Sequence, residues 1–94
     1  MTELVSVFGD PNTHTDGELL ADNNSDKLFI EGKKVNLIGS NALVDGLGHS
    51  GAADAAATGT DKFYVSGIKV HRNNDSRVCG ALTVVTGQTK VFSG

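Results

Sequence analysis

Three histidines and one cysteine are the residues of this chain whose types could together hold a metal ion: His14, His49, His71 and Cys79. Imidazole nitrogens and thiolate sulfurs are the ligands of structural zinc sites, which take four of them in a tetrahedron. The spacing does not match a zinc finger, because the chain has no C-x2-C and no H-x3-H pair. Composition alone therefore leaves two readings open: ligands, or ordinary surface and core histidines.

The size of the chain indicates why a metal would be useful. Ninety-four residues suffice for one domain, and we treat residues 1–94 as a single domain. Its large apolar residues are few, with four Phe, one Tyr, one Met and no Trp. A thin core of this kind usually needs a disulfide, a metal or a partner subunit. The single cysteine excludes an internal disulfide, which leaves a metal, a partner or both.

The charge pattern excludes one class of partner. The net charge is −3 with neutral histidines, and no cluster of Lys or Arg stands out. We expect no nucleic-acid partner, because such proteins carry a basic surface. The first residues form neither a basic segment nor an apolar stretch, and no apolar run approaches the roughly 20 residues of a bilayer span. We therefore expect synthesis in the cytoplasm without a signal peptide.

An internal repeat is the most informative feature of the sequence. Residues 26–36 match residues 61–71, and residues 89–94 form a shortened third copy. Each copy is a short apolar strand that ends at a Gly, and a second short strand follows in the first two. Two short strands around a Gly predict a β-hairpin. The approximate repeats, 9–38, 39–73 and 74–94, predict an all-β domain of short hairpins with pseudo-threefold symmetry.

The repeat also gives the candidate ligands a common register. His14, His49 and Cys79 precede the apolar strand of their own repeat by nearly the same number of residues. Equivalent turns of a pseudo-threefold domain would meet near its axis. His71 takes the place that Asn36 holds in the preceding repeat, and it would supply a fourth ligand. The sequence therefore predicts one structural zinc ion bound by these three histidines and the cysteine.

The order of these motifs resembles the PAAR-repeat family, whose members form the tips of contractile injection machines. The resemblance covers nearly the whole chain. It rests on a first turn at 9–14, a motif strand at 29–35, a second turn at 48–51, a second motif strand at 64–72 and a Cys-Gly turn at 75–80. The Pro-Ala-Ala-Arg element itself is eroded. Lys34 and Lys69 stand where Pro is usual, and only Arg72 keeps the Arg position.

The resemblance implies a cone-shaped cap with zinc near its apex, held by His14, His49, His71 and Cys79. The partner would be a trimeric β-helical spike that binds one copy per trimer, and the apex would contact the target-cell membrane transiently. The protein would then lie at the tail tip of a virion or be exported by a type VI secretion machine. Its function would be mechanical puncture, not enzymatic.

The apolar residues of the repeats would form the core of this cone or its base, where open strand edges would pair with the spike. These residues are Phe29, Ile30, Phe63, Tyr64, Val91 and Phe92. The Ala-rich segment 52–57 has helical propensity. Its position in the repeat nevertheless favours a strand or a loop.

Three alternatives stay open beside the tip. An adaptor would attach an effector cargo non-covalently to the spike, since we expect no further domain after the third repeat. A small zinc hydrolase would need an open coordination position, and Asp10, Asp16 and Asp75 lie near the ligand turns as candidate bases. In a metal-free β-module the histidines would be incidental. Asp in turns is more often structural than catalytic, which favours the tip over the hydrolase.

Overall fold

The strands of this protein are very short. The computed structural model describes residues 2–22 and 27–94, and Asp26, the first residue of the sequence repeat, lies outside them. The strands are β1 Glu3–Leu4, β2 Phe29–Ile30, β3 Lys33–Lys34, β4 Tyr64–Val65, β5 Ile68–Lys69 and β6 Phe92–Ser93, and one 3-10 helix spans Ala52–Asp54. Within the described residues, no helix has the length and apolar character needed to cross a bilayer. The prediction of short antiparallel strand pairs is confirmed.

Two of the strand pairs are the predicted hairpins. β2 pairs with β3, and β4 pairs with β5, both antiparallel. Their two-residue turns are Glu31-Gly32, with φ of 52° and 80°, and Ser66-Gly67, with φ of 52° and 79°. Type I′ turns require positive φ at both central residues, and Gly adopts this conformation without a steric penalty. The Gly that ends each repeated strand is therefore the turn residue.

The third strand pair joins the two ends of the chain. β1 pairs antiparallel with β6, with Leu4 opposite Phe92 and Glu3 opposite Ser93. The third copy of the repeat has one strand of its own, and the N-terminal segment supplies its partner. The backbone amide of Val5 continues this pairing by donating to the carbonyl of Val91 at 2.9 Å.

Three central segments, 5–7, 35–37 and 70–72, hydrogen-bond to one another in a closed ring. The amide of Ser6 donates to the carbonyl of His71 (2.9 Å), that of His71 to Asn36 (2.9 Å), and that of Asn36 to Ser6 (2.8 Å). The side chains of all three residues are fully buried. Each segment leads from one strand pair into one long loop, so the ring is the part of the chain that connects the pairs to the loops.

The main core packs around this ring. Its buried members are Val5, Val7, Ile30, Val35, Leu37, Val65 and Val70. Most are β-branched, which suits extended backbone with a packed face. A second, smaller cluster consists of Leu19, Ala42 and Ala56. The main core therefore stabilises the ring and the strand pairs, whereas little apolar packing supports the long loops.

The six residues predicted to lie in the core or the base form two groups in the structure. Three are buried or pack partly buried against the core: Ile30, Phe63 and Val91. The other three, Phe29, Tyr64 and Phe92, are 52%, 49% and 55% exposed. Each of these is the first residue of its strand. The three aromatic rings therefore present half their surface to solvent at matching places in the three strand pairs.

The Ala-rich segment 52–57 differs in part from the prediction. Ala52–Asp54 form one 3-10 turn, which the prediction of a strand or loop missed. Ala55 returns to extended backbone, and Ala56 forms a β-bridge with Arg77. The helical propensity of Ala thus produces a single 3-10 turn. Directly after this turn the backbone is extended, as the position of the segment in the repeat predicts.

Truncation of the core tests this arrangement. Leu37 is fully buried, and Leu37→Ala is expected to lower the free energy of unfolding by about 2–5 kcal/mol, because it removes apolar contacts and leaves a cavity. Leu47 is 65% exposed, so Leu47→Ala is the matched control and is expected to change stability by less than about 0.5 kcal/mol. Urea unfolding curves of both variants measure the difference. Equal effects would contradict a core centred on the ring.

Candidate metal centre

Three loops carry the candidate ligands: 10–18, 40–55 and 75–82, called here the first, second and third loops. Backbone hydrogen bonds close them, from Gly9 to Leu19 (2.8 Å), from Gly39 to Ala56 (2.7 Å) and from Asn74 to Thr83 (2.9 Å). The first loop carries His14, the second His49 and the third Cys79. The second loop is the longest of the three.

Four side chains from these loops converge on one point: His14, Asp45, His49 and Cys79. Their ligand atoms all lie within 4.8 Å of one another. The Nδ1 atoms of His14 and His49 lie 3.3 and 3.1 Å from Oδ2 of Asp45. The Cys79 Sγ lies 3.9 Å from Nδ1 of His14. The group is a candidate metal-binding cluster that unites three of the four predicted ligands with one that was not predicted.

Three of the six separations between ligand atoms lie close to those of a tetrahedral ion. Bonds of about 2.0–2.1 Å to nitrogen or oxygen and about 2.3 Å to sulfur place tetrahedral ligands roughly 3.3–3.8 Å apart. The three distances among His14, Asp45, His49 and Cys79 fall close to this range. His14 and His49 keep 25% and 36% of their side-chain surface exposed, whereas Asp45 is buried. An ion could therefore enter from the histidine side of the cluster.

Asp45 is the candidate ligand that sequence reasoning missed. Burial by itself would raise the pKa of its carboxyl. The backbone amides of His49 and Leu47, each 2.9 Å from Oδ1, and the side chain of Asn12 instead hold that pKa well below its usual range. The carboxylate is thus ionised and directed at the cluster. A signal was available in Asp45-Gly46-Leu47-Gly48-His49, because an Asp before glycines favours a turn closed by its own side chain.

The structure does not bring His71 to this cluster. Its Nδ1 lies 2.6 Å from the carbonyl oxygen of Thr58, and its Nε2 lies 2.6 Å from Oγ1 of Thr83. A carbonyl only accepts hydrogen bonds, so Nδ1 carries the proton and Nε2 accepts from the Thr83 hydroxyl. Both imidazole nitrogens of the fully buried His71 are therefore already hydrogen-bonded to other residues. The structure thus brings His14, His49 and Cys79 together with Asp45, and His71 lies apart from them.

The loops also correct the register proposed for the ligands. Counted from the glycine or asparagine that begins each loop, Val44 and not His49 holds the position of His14 and Cys79. His49 reaches the cluster because the second loop is longer. The same extra length supplies Asp45, so one loop contributes two of the four donors.

A buried carboxylate lies directly behind the cysteine. The Cys79 thiol donates to Oδ1 of Asp54 at 2.9 Å. Desolvation raises the pKa of this thiol, and the hydrogen bond to Asp54 raises it further. Oδ2 of Asp54 is paired with Arg77 at 2.9 Å, and both side chains are fully buried. In the metal-free protein, Cys79 is therefore a protonated, hydrogen-bonded thiol and not a reactive thiolate.

Two of the three aspartates considered as bases stabilise turns. Oδ2 of Asp10 accepts from the amide of Val7 at 2.7 Å, and Oδ2 of Asp75 accepts from the amide of Arg72 at 2.9 Å. Each carboxylate thus closes the turn that begins its loop. Asp16 is exposed on the first loop.

Comparisons with known proteins leave the geometry as the basis for assigning a function. No protein-family model and no curated protein matches the chain. The family resemblance of the motifs therefore stays a hypothesis, and the function has to be inferred from the fold and from the candidate metal cluster.

The buried position of His71 predicts a loss of stability in acid. Burial lowers its pKa to about 4, whereas an unfolded chain takes up this proton near pH 6.5. The contribution of the neutral, buried His71 side chain to the free energy of unfolding is complete above about pH 6.5 and is lost as the pH falls through about 4. The expected loss between about pH 7.5 and pH 4.5 is about 2–3 kcal/mol. Urea unfolding in the presence of a chelator measures it without a contribution from metal.

His71→Asn is the control for this prediction, because Asn36 occupies the equivalent place in the ring. The variant loses the titrating group, so its stability should decline less steeply over the same pH range. Parallel pH profiles for the two proteins would show that His71 is not the group responsible.

Proposed function

We propose that this protein is a PAAR-type tip that caps the trimeric β-helical spike of a contractile injection machine. The closed ring of backbone hydrogen bonds among Ser6, Asn36 and His71 is the observation that carries the proposal. Three segments that bond to one another in the same way lie around a common axis. A single chain with three similar faces can match a threefold partner, which an unrelated shape cannot cover evenly.

The strand pairs support the assignment of the base. Phe29, Tyr64 and Phe92 lie at matching positions in three pairs and are each about half exposed. Aromatic residues of this kind are enriched at the centres of protein interfaces. The molecule measures 30 × 24 × 24 Å. One long axis and two equal short axes are expected of a cone with pseudo-threefold symmetry.

Zinc is the metal that the donor chemistry favours. Imidazole and thiolate ligands suit Zn²⁺, whereas Mg²⁺ and Ca²⁺ prefer oxygen ligands alone. His14, His49, Asp45 and Cys79 would occupy all four positions of a tetrahedral site. A site closed in this way is structural, because catalytic zinc keeps one position for water or substrate. The second reading, a zinc hydrolase, gains no support from this donor set.

The loops that carry the cluster supply the surface proposed to meet the membrane. Leu43, Val44, Leu47 and Val78 are between 52% and 65% exposed. All four lie on the second or third loop, beside the candidate ligands. Their apolar side chains favour transfer from water to the acyl region of a bilayer. A metal that joins the three loops would keep this end rigid where apolar packing is scarce.

Metal analysis tests the proposed zinc site. Protein purified without chelators is expected to contain about one zinc ion per chain. Cys79→Ser and Asp45→Asn each weaken or remove one donor, so both variants should bind zinc more weakly than the wild type in a competition titration. His71→Asn leaves the four donors in place and should keep the wild-type affinity.

Two results would contradict this assignment. Absence of bound zinc, together with no binding on titration, would remove the metal from the proposal. Loss of zinc in His71→Asn with retention in Asp45→Asn would restore His71 as the fourth ligand in place of Asp45.

Binding to a spike trimer encoded in the same genome tests the tip directly. The expected complex contains one copy of this chain per three spike chains, because one pseudo-threefold molecule covers the whole end of a trimer. Tyr64→Ser and Phe92→Ser remove aromatic area from the base and should weaken the complex about tenfold or more. Analytical ultracentrifugation gives the stoichiometry, and surface plasmon resonance gives the affinity.

Leu47→Ser serves as the control for this experiment, since it removes a highly exposed apolar side chain from the second loop. It should leave spike affinity unchanged. A complex with equal numbers of the two chains, or equal weakening by all three variants, would contradict the proposed base.

A further inference from the structure

The largest fully buried side chain in the described part of the chain is an arginine. Arg77 lies on the third loop, and its guanidinium contacts the other two loops. It donates to the carbonyls of Gly17 (2.6 Å) and Asp10 (3.0 Å) on the first loop, and to Oδ2 of Asp54 (2.9 Å) on the second. Its Nε donates to Thr83 Oγ1 at 2.7 Å. Arg77 is therefore the point at which all three ligand loops are joined.

Asp54 extends this junction to the metal cluster. Oδ2 accepts from Arg77 and from Nδ2 of Asn12 (2.7 Å), and Oδ1 accepts from the thiol of Cys79 (2.9 Å). The carboxylate thus holds one metal donor directly. The ion pair with the fully buried Arg77 guanidinium holds the Asp54 carboxylate in place, because neither side chain is exposed to solvent and each charge therefore depends on its partner.

Asn12 carries the network to the remaining donors. Its Nδ2 also donates to Oδ2 of Asp45 at 3.1 Å, and its Oδ1 accepts from the backbone amide of His14 at 2.8 Å. Asp45 in turn accepts from the amide of His49 at 2.9 Å. Every one of the four donors therefore connects to Arg77, Asp54 or Asn12 through one or two hydrogen bonds.

Gly17 shows how closely this network is packed. A Cβ at position 17 would lie 2.7 Å from Nδ2 of Asn12, 2.8 Å from Oδ2 of Asp54 and 2.9 Å from Cβ of Asp45. Its φ of 71° is a further reason for glycine. The three polar side chains thus lie directly against bare backbone, and no side chain would fit at position 17.

We propose that Arg77, Asp54 and Asn12 form a preassembled frame that positions the four donors before a metal ion arrives. The inference rests on the proposed metal site and adds an order of events to it. The fold does not need the metal, in contrast to zinc fingers, whereas high metal affinity needs the frame. Asp54 and Asn12 are positioning residues, since they act on the ion through Cys79, Asp45 and His14.

The frame makes a prediction about the metal-free protein and one about variants. Chelator-treated wild type should keep its circular dichroism spectrum and a cooperative unfolding transition. Asn12→Ala removes the bonds to Asp54 and Asp45 without changing any charge, and Asp54→Asn alters the contact with Cys79. Each should weaken Zn²⁺ binding about 10- to 100-fold, as measured by competition with a chromophoric chelator.

Co²⁺ supplies a readout that a purely structural role would not change. Its absorption bands report the thiolate bond and the ligand geometry, so both variants should shift or weaken the thiolate band relative to wild type. Arg72→Lys is the matched control. It alters a second arginine–aspartate pair, Arg72 with Asp75, which is partly exposed and has no hydrogen bond to the four donors in the described residues.

The outcomes separate this inference from the metal site itself. Failure of wild type to bind Zn²⁺ or Co²⁺ would overturn both. Unfolding of the wild type on chelation would overturn preassembly. Binding by Asn12→Ala and Asp54→Asn within roughly threefold of Arg72→Lys, with an unchanged Co²⁺ spectrum, would overturn the positioning role while the metal site stands. If Asp54→Asn does not fold, Asn12→Ala still decides the question.

Discussion

The closed ring of amide-to-carbonyl hydrogen bonds through Ser6, Asn36 and His71 is the constraint on which the other parts of this protein depend. Strands of two residues cannot build a sheet, and an isolated pair of this length is not stable in water. The ring solves this difficulty by joining three segments whose apolar neighbours, Val5, Val35 and Val70, are fully buried. Each segment of the ring is preceded in the chain by a strand of one pair and followed by one of the long loops.

The loops receive little of this apolar stabilisation and rely on polar contacts. Among the described residues, the buried apolar cluster beside them consists of the small group Leu19, Ala42 and Ala56. In its place stand a buried ion pair, Arg77 with Asp54, and the amide of Asn12. Burying charges is costly unless each is paired and hydrogen-bonded, and here Arg77 makes four such bonds. A polar interior of this kind favours one defined arrangement of the loops, which is what a metal site and a rigid tip both require.

The strand pairs and the loops accordingly have different chemistry. The strand pairs expose three aromatic rings at matching positions, whereas the loops expose aliphatic side chains around a cluster of nitrogen, oxygen and sulfur donors. The proposed tip function uses this difference, with a base that fits a threefold partner and an apex stiffened by metal. The second loop is longer than the other two, and it contributes both Asp45 and His49 to the cluster.

The sequence alone determined the hairpins and three of the four residues of the candidate metal cluster. The repeated Gly marks turns that need positive φ. Two short strands joined by such a turn pair with each other as an antiparallel hairpin. His14, His49 and Cys79 were predicted because each precedes the strand of its own repeat by nearly the same number of residues, although the loops place Val44 and not His49 at the equivalent position. The choice of Asp45 over His71 was decided only by the tertiary structure. His71 has the right chemistry, but Thr58 and Thr83, distant in sequence, occupy both of its nitrogens at the centre of the ring. No local pattern records that contact, since side-chain partners inside a core are chosen by packing.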